Sequence, residues 1–195
     1  VNKVSQDFLV RPMGIFQLVD YVGLDVCRCI LDVMDPRLPG KGLKSALIDR
    51  LLGHGVKGGQ NHDGSQKDGF LKYEGNKIAG VWDPESKRYV PLSELQAECD
   101  KKLGPLPEPA LAWKAAVKHP SKDKALAEFF AKLDGMSTLG ADLAKRYGSR
   151  SKEIGLGLVT DGVAASASDV NKVLLTGFFH AYGPVNDYFE EKGVR

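Results

Sequence analysis

A run of closely spaced glycines is the first feature of the sequence whose spacing is typical of a ligand-binding loop. Gly53-His54-Gly55-Val56-Lys57-Gly58 has the G-x-G-x-x-G spacing of loops that bind the pyrophosphate of a dinucleotide. Such a loop binds phosphate only when it follows a strand and begins a helix, because the helix N-terminus then faces the ligand. Here a leucine-rich helical pattern precedes the glycines and a polar loop follows them. The run is therefore interpreted as the glycine-rich end of a helix and the loop after it.

The histidines and cysteines do not have the spacing of a metal site or of a catalytic pair. His54, His62 and Asp63 match no strong ligand pattern. Cys27 and Cys29 lie two residues apart on a predicted helix, so their thiols point to different faces. The other two histidines have no evident acidic neighbour in the sequence to orient an imidazole as a general base. These are His119 and His180. We therefore predict no metal ligand and no catalytic residue in the chain.

The composition is that of a globular protein and argues against two classes of partner. The chain has 195 residues, of which 43% are hydrophobic and 27% charged, and its formal net charge is +2. A net charge this small argues against a nucleic-acid-binding protein whose interface is a dense basic face. No apolar run approaches the roughly 20 residues that cross a bilayer, so no membrane partner is predicted. The odd number of cysteines is typical of free thiols in a reducing compartment, which predicts a cytoplasmic location.

Hydrophobic periodicity predicts a mainly helical chain with one small sheet. Alternating apolar residues and turn signals over 70–90 predict a β-meander. The prolines between 105 and 109 predict a stiff connection and a boundary. Asp25 is predicted as an N-cap, and Ser93 with Gln96 as a capping box. The predicted helices are 16–22, 25–34, 43–52, 93–102, 110–118, 122–133, 139–147, 152–163 and 169–179.

A repeated tetrapeptide indicates a tandem architecture. Val1-Asn2-Lys3-Val4 recurs as Val170-Asn171-Lys172-Val173, and Gly14 then falls on Gly183. Each glycine is predicted to take φ > 0 at a turn that opens an apolar helix. The helix over 152–163 has no counterpart ahead of the first copy, so the first repeat is expected to be truncated and residue 1 not to be the natural start. The alternative is that four identical residues recur by chance.

The residues from Arg11 to Val26 resemble the C-terminal region of 3-hydroxyacyl-CoA dehydrogenases. That family carries Pro-x-Gly-Pro-Phe-x-Leu-x-Asp-x-x-Gly-Leu-Asp there, and Ile15 replaces its second proline. The stretch 67–73 resembles the family's Gly-Lys-Gly-Phe-Tyr-x-Tyr. A second, degenerate copy is visible in 161–171 and at Gly183-Pro184. The resemblance covers both ends of the chain and its middle.

The resemblance implies a fold, a division into repeats and a parent activity. The fold would be the helical C-terminal-domain type of 3-hydroxyacyl-CoA and 6-phosphogluconate dehydrogenases, with residues 1–104 as a truncated first repeat and 105–195 as a second. In this family an N-terminal Rossmann domain binds NAD and carries a His–Glu pair. The parent would oxidise a (3S)-3-hydroxyacyl-CoA to a 3-oxoacyl-CoA in fatty-acid β-oxidation. No cofactor is expected in this chain, because NAD would be bound by that other domain.

Four residues are the candidates for a substrate contact: Arg11, Pro12, Met13 and Gly14. They would line the acyl-CoA pocket or a dimer wall, and the alternative is a tight turn in which Met13 fills core space. Asp20 is interpreted as a polar residue at the helix surface or an interface, not as an acid catalyst.

The expected partners are acyl-CoA and either a second copy or the chain's own NAD-binding domain. Phe16, Val19 and Val22 would form an apolar face that lacks its covering helix, which predicts at least a dimer. The alternative function is a non-catalytic helical module for structure or interaction that has kept only the fold.

Overall fold

Helices dominate the protein, as the periodicity predicts. The computed structural model describes residues 1–75 and 77–190. The mainly helical fold class with a small β-meander is confirmed. In chain order the elements are the N-terminal turn (Val4–Phe8, a wide helical turn), α1 (Ile15–Val22), α2 (Leu24–Met34), a short tight turn (Asp35–Arg37), α3 (Ala46–Gly53), β1 (Leu71–Glu74), β2 (Lys77–Asp83), β3 (Arg88–Pro91), α4 (Leu92–Leu103), α5 (Trp113–Lys118), α6 (Lys122–Asp134), α7 (Leu139–Thr160) and α8 (Ala167–Gly177).

The three strands form the predicted meander. The sheet has the order β1-β2-β3 with both pairs antiparallel, and Leu71 lies opposite Val81. A register shift between Lys72 and Tyr73 interrupts the first pair. Among the described residues, no helix is long and apolar enough to span a membrane.

The chain divides into two compact units. One contains residues 1–14 together with 100–190, and the other contains residues 15–99. The predicted division into repeats at 104/105 stays a prediction. The compact units instead divide the chain at 14/15 and at 99/100. The reason is that Val4, Phe8 and Leu9 are buried in the core built by the second half of the chain.

Each unit has its own apolar core. In the first, Phe130 lies among four aromatic rings at centroid distances of 5.0 to 5.4 Å. These rings belong to Phe129, Tyr182, Tyr188 and Phe189. In the second, Leu24, Leu51 and Leu71 are buried, and Phe16 stacks on Phe70 at a centroid distance of 4.4 Å.

The structure corrects several helix boundaries, and α3 and α5 begin three residues later than predicted. The predicted helices 139–147 and 152–163 are one 22-residue helix, α7. Its glycines allow close packing instead of ending it, since a Cβ on Gly148 would lie 2.6 Å from the Phe189 ring. Asp25 is not an N-cap, because α2 begins at Leu24 after Gly23, whose φ is 104°. Likewise α4 begins at Leu92, so Ser93 lies inside the helix.

Candidate functional site

The repeated tetrapeptide places an asparagine against a glycine in both copies. A Cβ on Gly14 would lie 2.1 Å from Oδ1 of Asn2, and one on Gly183 would lie 2.1 Å from Cγ of Asn171. Asn171 also accepts from the Val185 N–H at 2.9 Å and donates to the Val185 carbonyl at 2.7 Å. Neither glycine has a positive φ, so that prediction is wrong. Glycine is required here because the asparagine occupies the space that a Cβ would need.

The backbone conformation is also the same in the two copies at the position four residues before each glycine. Val10 has φ 49° and Phe179 has φ 53°, and a β-branched or bulky residue in this region is unusual. The residues just before them also match, with φ −105° and ψ 9° at Leu9 and φ −119° and ψ 5° at Phe178. Gly14 and Gly183 therefore occupy locally equivalent positions, as predicted, while the division of the chain into two repeats stays a prediction.

Arg11 packs on α7. Its guanidinium carbon lies 4.5 Å from the centre of the Tyr147 ring, and its Nη1 donates to the Tyr147 hydroxyl at 3.0 Å. Burial, and then the nearby Arg11 charge, lowers the pKa of His180 to about 4. The His180 imidazole is therefore neutral at physiological pH, and so low a pKa makes it a weak general base.

Arg11 and Pro12 line a cavity of about 300 Å³. Its other walls include apolar side chains from the proline-rich connection and α5, and the exposed Lys114 lies at its edge. The apolar residues are Leu106, Ala110, Leu111, Ala112 and Trp113. The carboxyl group of Asp7 also lines the cavity. The two cations, Arg11 and Lys114, are suited to the anionic group of a ligand that also has an apolar chain.

The other two predicted contact residues do not line this cavity. Met13 is half-buried, and Gly14 is buried beneath the side chain of Asn2. The structure therefore brings Arg11 and Pro12 together at one surface and separates them from Met13 and Gly14.

Asp20 is fully buried, which corrects its interpretation as a surface or interface residue. Its carboxylate accepts from the N–H of Phe70 at 2.6 Å, the N–H of Leu71 at 2.9 Å and the hydroxyl of Tyr73 at 3.0 Å. A Cβ on Gly69 would lie 2.2 Å from Asp20 Oδ1, so the backbone approaches closely. Asp20 thus holds the start of β1 against α1.

Burial raises the pKa of Asp20 to about 6, although its three hydrogen bonds act in the opposite direction. Sequence reasoning missed this role. The available signal was spacing: Asp20 follows Phe16 by four residues on α1 and therefore shares the face on which Phe16 packs.

The G-x-G-x-x-G run forms the end of α3 and a loop, as predicted. Gly53 is the last residue of α3, and the next named element, β1, begins only at Leu71. Two backbone N–H groups of the loop already have hydrogen-bond acceptors within the protein. The Gly58 N–H donates to the Asp68 carbonyl, and the Gly59 N–H donates to the Asp20 carbonyl. These residues therefore do not fit NAD, because its pyrophosphate needs unpaired N–H groups at a helix N-terminus.

Over the described part of the chain, no group of three or more His, Cys, Asp or Glu side chains could hold a metal ion. Asp63 instead accepts from the N–H and hydroxyl of Ser65 within a turn. The three cysteines are free thiols, with Cys27 half-buried and Cys29 and Cys99 exposed.

Comparison with known families agrees with the resemblance seen in the sequence. Residues 1–68 match the family described as 3-hydroxyacyl-CoA dehydrogenase, C-terminal domain. The matched segment contains the Arg11–Val26 motif and Asp20, so the recognition is confirmed over these residues. The family is that of an oxidoreductase. No curated protein and no solved structure matches the chain.

Proposed function

We propose that this chain is the C-terminal, substrate-side portion of a 3-hydroxyacyl-CoA dehydrogenase. The parent would oxidise a (3S)-3-hydroxyacyl-CoA to a 3-oxoacyl-CoA with NAD in fatty-acid β-oxidation. The observation that carries the proposal is the family match over residues 1–68. The three free cysteines favour a reducing compartment, and we propose a cytoplasmic location on that ground.

The cavity beside Pro12 is the proposed contact for acyl-CoA. Arg11 and Lys114 would bind phosphate oxygens of the CoA moiety, while Leu111 and Trp113 would pack on its apolar portions. Since the glycine-rich loop after α3 does not fit NAD, we assign hydride transfer to a separate NAD-binding domain and assign no catalytic step to the described residues.

Charge reversal on α5 tests the proposed acyl-CoA contact. We expect Lys114→Glu to weaken acyl-CoA binding at least about fivefold in calorimetric titration, because it replaces a phosphate-binding cation with an anion. Lys118→Glu is the matched control, since Lys118 is exposed on the same helix but does not line the cavity. Equal losses in the two variants would contradict a specific contact. No binding by the unaltered chain would favour the non-catalytic module.

The chain by itself is expected to have no dehydrogenase activity. The loop amides at Gly58 and Gly59 are paired, and His180 is a weak base. Titration with NAD should therefore show no saturable binding, and 3-hydroxybutyryl-CoA with NAD should give no absorbance at the NADH band. Micromolar NAD affinity or turnover would refute this assignment.

We also propose that the chain forms a homodimer, through a face different from the one predicted. Phe16 stacks on Phe70 and Val19 is half-buried, so these two residues of the predicted face are covered within their own unit. Val22, the third, is 40% exposed. The exposed apolar stripe lies on α2 instead. It consists of Val26 (48% exposed), Ile30 (48%) and Val33 (53%).

A charge in the middle of the α2 stripe tests this interface. Ile30→Asp should raise the dimer dissociation constant at least about tenfold in sedimentation equilibrium, because it buries an unpaired carboxylate. Leu139→Asp is the control, since Leu139 is an equally exposed apolar residue (52%) that belongs to α7 and not to the α2 stripe. A monomer at every concentration of the unaltered chain would show that α2 is not a dimer interface.

A further inference from the structure

The cavity beside Pro12 contains two polar side chains that the proposed acyl-CoA contact does not use. These are Gln6 and Asp7, which line it from the N-terminal turn, and both are half-buried. Neither side chain forms a hydrogen bond with another of the described residues. Their donors and acceptors are therefore available to a ligand in the cavity.

Asp7 indicates that the ligand also carries a hydrogen-bond donor. A carboxylate repels the phosphate oxygens that Arg11 and Lys114 would attract, so its presence is not explained by an anion alone. Burial raises the pKa of Asp7, although the nearby Lys3 charge acts in the opposite direction. Carboxylate oxygens accept hydrogen bonds, and an amino group on the ligand would donate them. The cavity is therefore suited to a ligand that has both phosphate and an amino group.

The position of Gln6 beside Asp7 favours adenine as the part of the ligand that carries the amino group. A glutamine amide can donate to a ring nitrogen of adenine and accept from its exocyclic amino group at the same time. That amino group has a second N–H, for which the Asp7 carboxylate is a suitable acceptor. The same carboxylate would repel the carbonyl oxygen that guanine and hypoxanthine have at this position.

Trp113 gives the cavity a flat aromatic surface whose polar edge is already bonded. Its indole N–H donates to the Phe179 carbonyl at 2.7 Å, which fixes the ring. The Trp113 side chain lines the cavity together with Leu106 and Leu111. A purine base stacks favourably on such a ring, and a ring that is already fixed loses little freedom when the base binds.

The two cations come from different elements, so each can bind a separate phosphate group. Arg11 follows the N-terminal turn, and its guanidinium is held by the Tyr147 hydroxyl at 3.0 Å. Lys114 lies on α5 and is exposed. A nucleoside with one phosphate would use only one of these cations, whereas a nucleoside with phosphates on two oxygens would use both.

We propose that this cavity binds the adenosine 3′,5′-bisphosphate portion of a coenzyme A ester. Adenine would stack on Trp113 and bond to Gln6 and Asp7, and the two phosphate groups would bind Arg11 and Lys114. The inference rests on the proposed acyl-CoA contact and names the part of the ligand that the cavity holds. NAD has no phosphate on the 3′ oxygen, which agrees with the absence of NAD binding expected above.

Calorimetric titration with adenosine 3′,5′-bisphosphate tests the assignment without an acyl group. We expect saturable binding, and binding at least about tenfold weaker for inosine 3′,5′-bisphosphate, in which a carbonyl oxygen replaces the amino group. Adenosine 5′-monophosphate should also bind at least about tenfold more weakly, because it lacks the second phosphate. Equal affinity for adenosine and inosine bisphosphates, or for the monophosphate, would overturn the assignment.

Titration with acyl-CoA separates this inference from the proposed function. A chain that binds acyl-CoA but not adenosine 3′,5′-bisphosphate would overturn the inference and leave the proposed substrate contact standing. A chain that binds the bisphosphate with the expected preference for adenine but does not bind acyl-CoA would support the adenine site and contradict the proposed substrate contact.

A double variant tests whether the two polar side chains read the base. Gln6→Ala with Asp7→Ala should reduce the preference for adenosine over inosine to about twofold or less, because no group is left to bond the amino group. A merely structural loss would weaken both compounds equally and keep the preference. Gln96→Ala with Asp134→Ala is the matched control, since both residues are exposed and neither lines the cavity. A tenfold preference that persists in the first variant would overturn the roles of Gln6 and Asp7.

Discussion

Asp20→Ala is expected to lower the free energy of unfolding by about 3–5 kcal/mol, the largest effect of any single substitution considered. The substitution removes the acceptor for the N–H groups of Phe70 and Leu71 and for the hydroxyl of Tyr73, and it leaves these donors without their partner at a buried position. Chemical denaturation measures the loss. Glu74→Ala is the control, since Glu74 is exposed at the end of β1 and should change stability by less than about 0.5 kcal/mol.

Asp20 should also make stability depend on pH in an unusual direction. Burial raises its pKa from 3.8 to about 6, so the folded state binds a proton more tightly than the unfolded state does. The resulting stabilisation is fully present below about pH 4 and is lost as the pH rises through about 6. Asp20→Asn does not titrate at this position. The stability advantage of the unaltered protein over this variant should therefore fall by about 2–3 kcal/mol from pH 4 to pH 7, and an advantage that grows over this range would contradict the raised pKa.

Gly183→Ala should lower the free energy of unfolding by about 2–3 kcal/mol. Its Cβ would lie 2.1 Å from Cγ of Asn171, and moving that side chain would break both of its hydrogen bonds to the Val185 backbone. Thermal or chemical unfolding measures the effect. Gly157→Ala is the matched control, because a Cβ there meets no atom within 4 Å and alanine is the better helix former.

A double-mutant cycle separates this steric conflict from a general effect of adding a methyl group. Asn171→Ala alone should also destabilise, because it leaves the Val185 N–H and carbonyl without their partner. Combined with Gly183→Ala, it removes the atoms that the new Cβ would meet. The double variant should therefore be at least about 1 kcal/mol more stable than the sum of the single effects predicts. Strict additivity would mean that Asn171 is not what excludes a side chain at position 183.

The local structure of this protein was predictable from its sequence. Apolar spacing identified the main helices, because the side chains of a helix repeat their direction about every 3.6 residues. Alternation and turn residues identified the meander over 70–90. The recurrence of Asn2 and Gly14 at Asn171 and Gly183 identified the repeat, since two residues packed against each other must keep their spacing. The motif from Arg11 to Val26 identified the family.

Only the tertiary structure decided what covers each of these elements. Asp20 is buried because Phe70 and Leu71, about fifty residues away, supply N–H donors, and no local pattern reports so distant a partner. Gly148 lies within α7 instead of ending it, and the Phe189 ring occupies the space that a Cβ at this position would need. Val4 and Val173 occupy the same position in two similar segments, yet one is buried and the other exposed. Periodicity tells which face of a helix is apolar, and the rest of the fold determines whether another element covers that face.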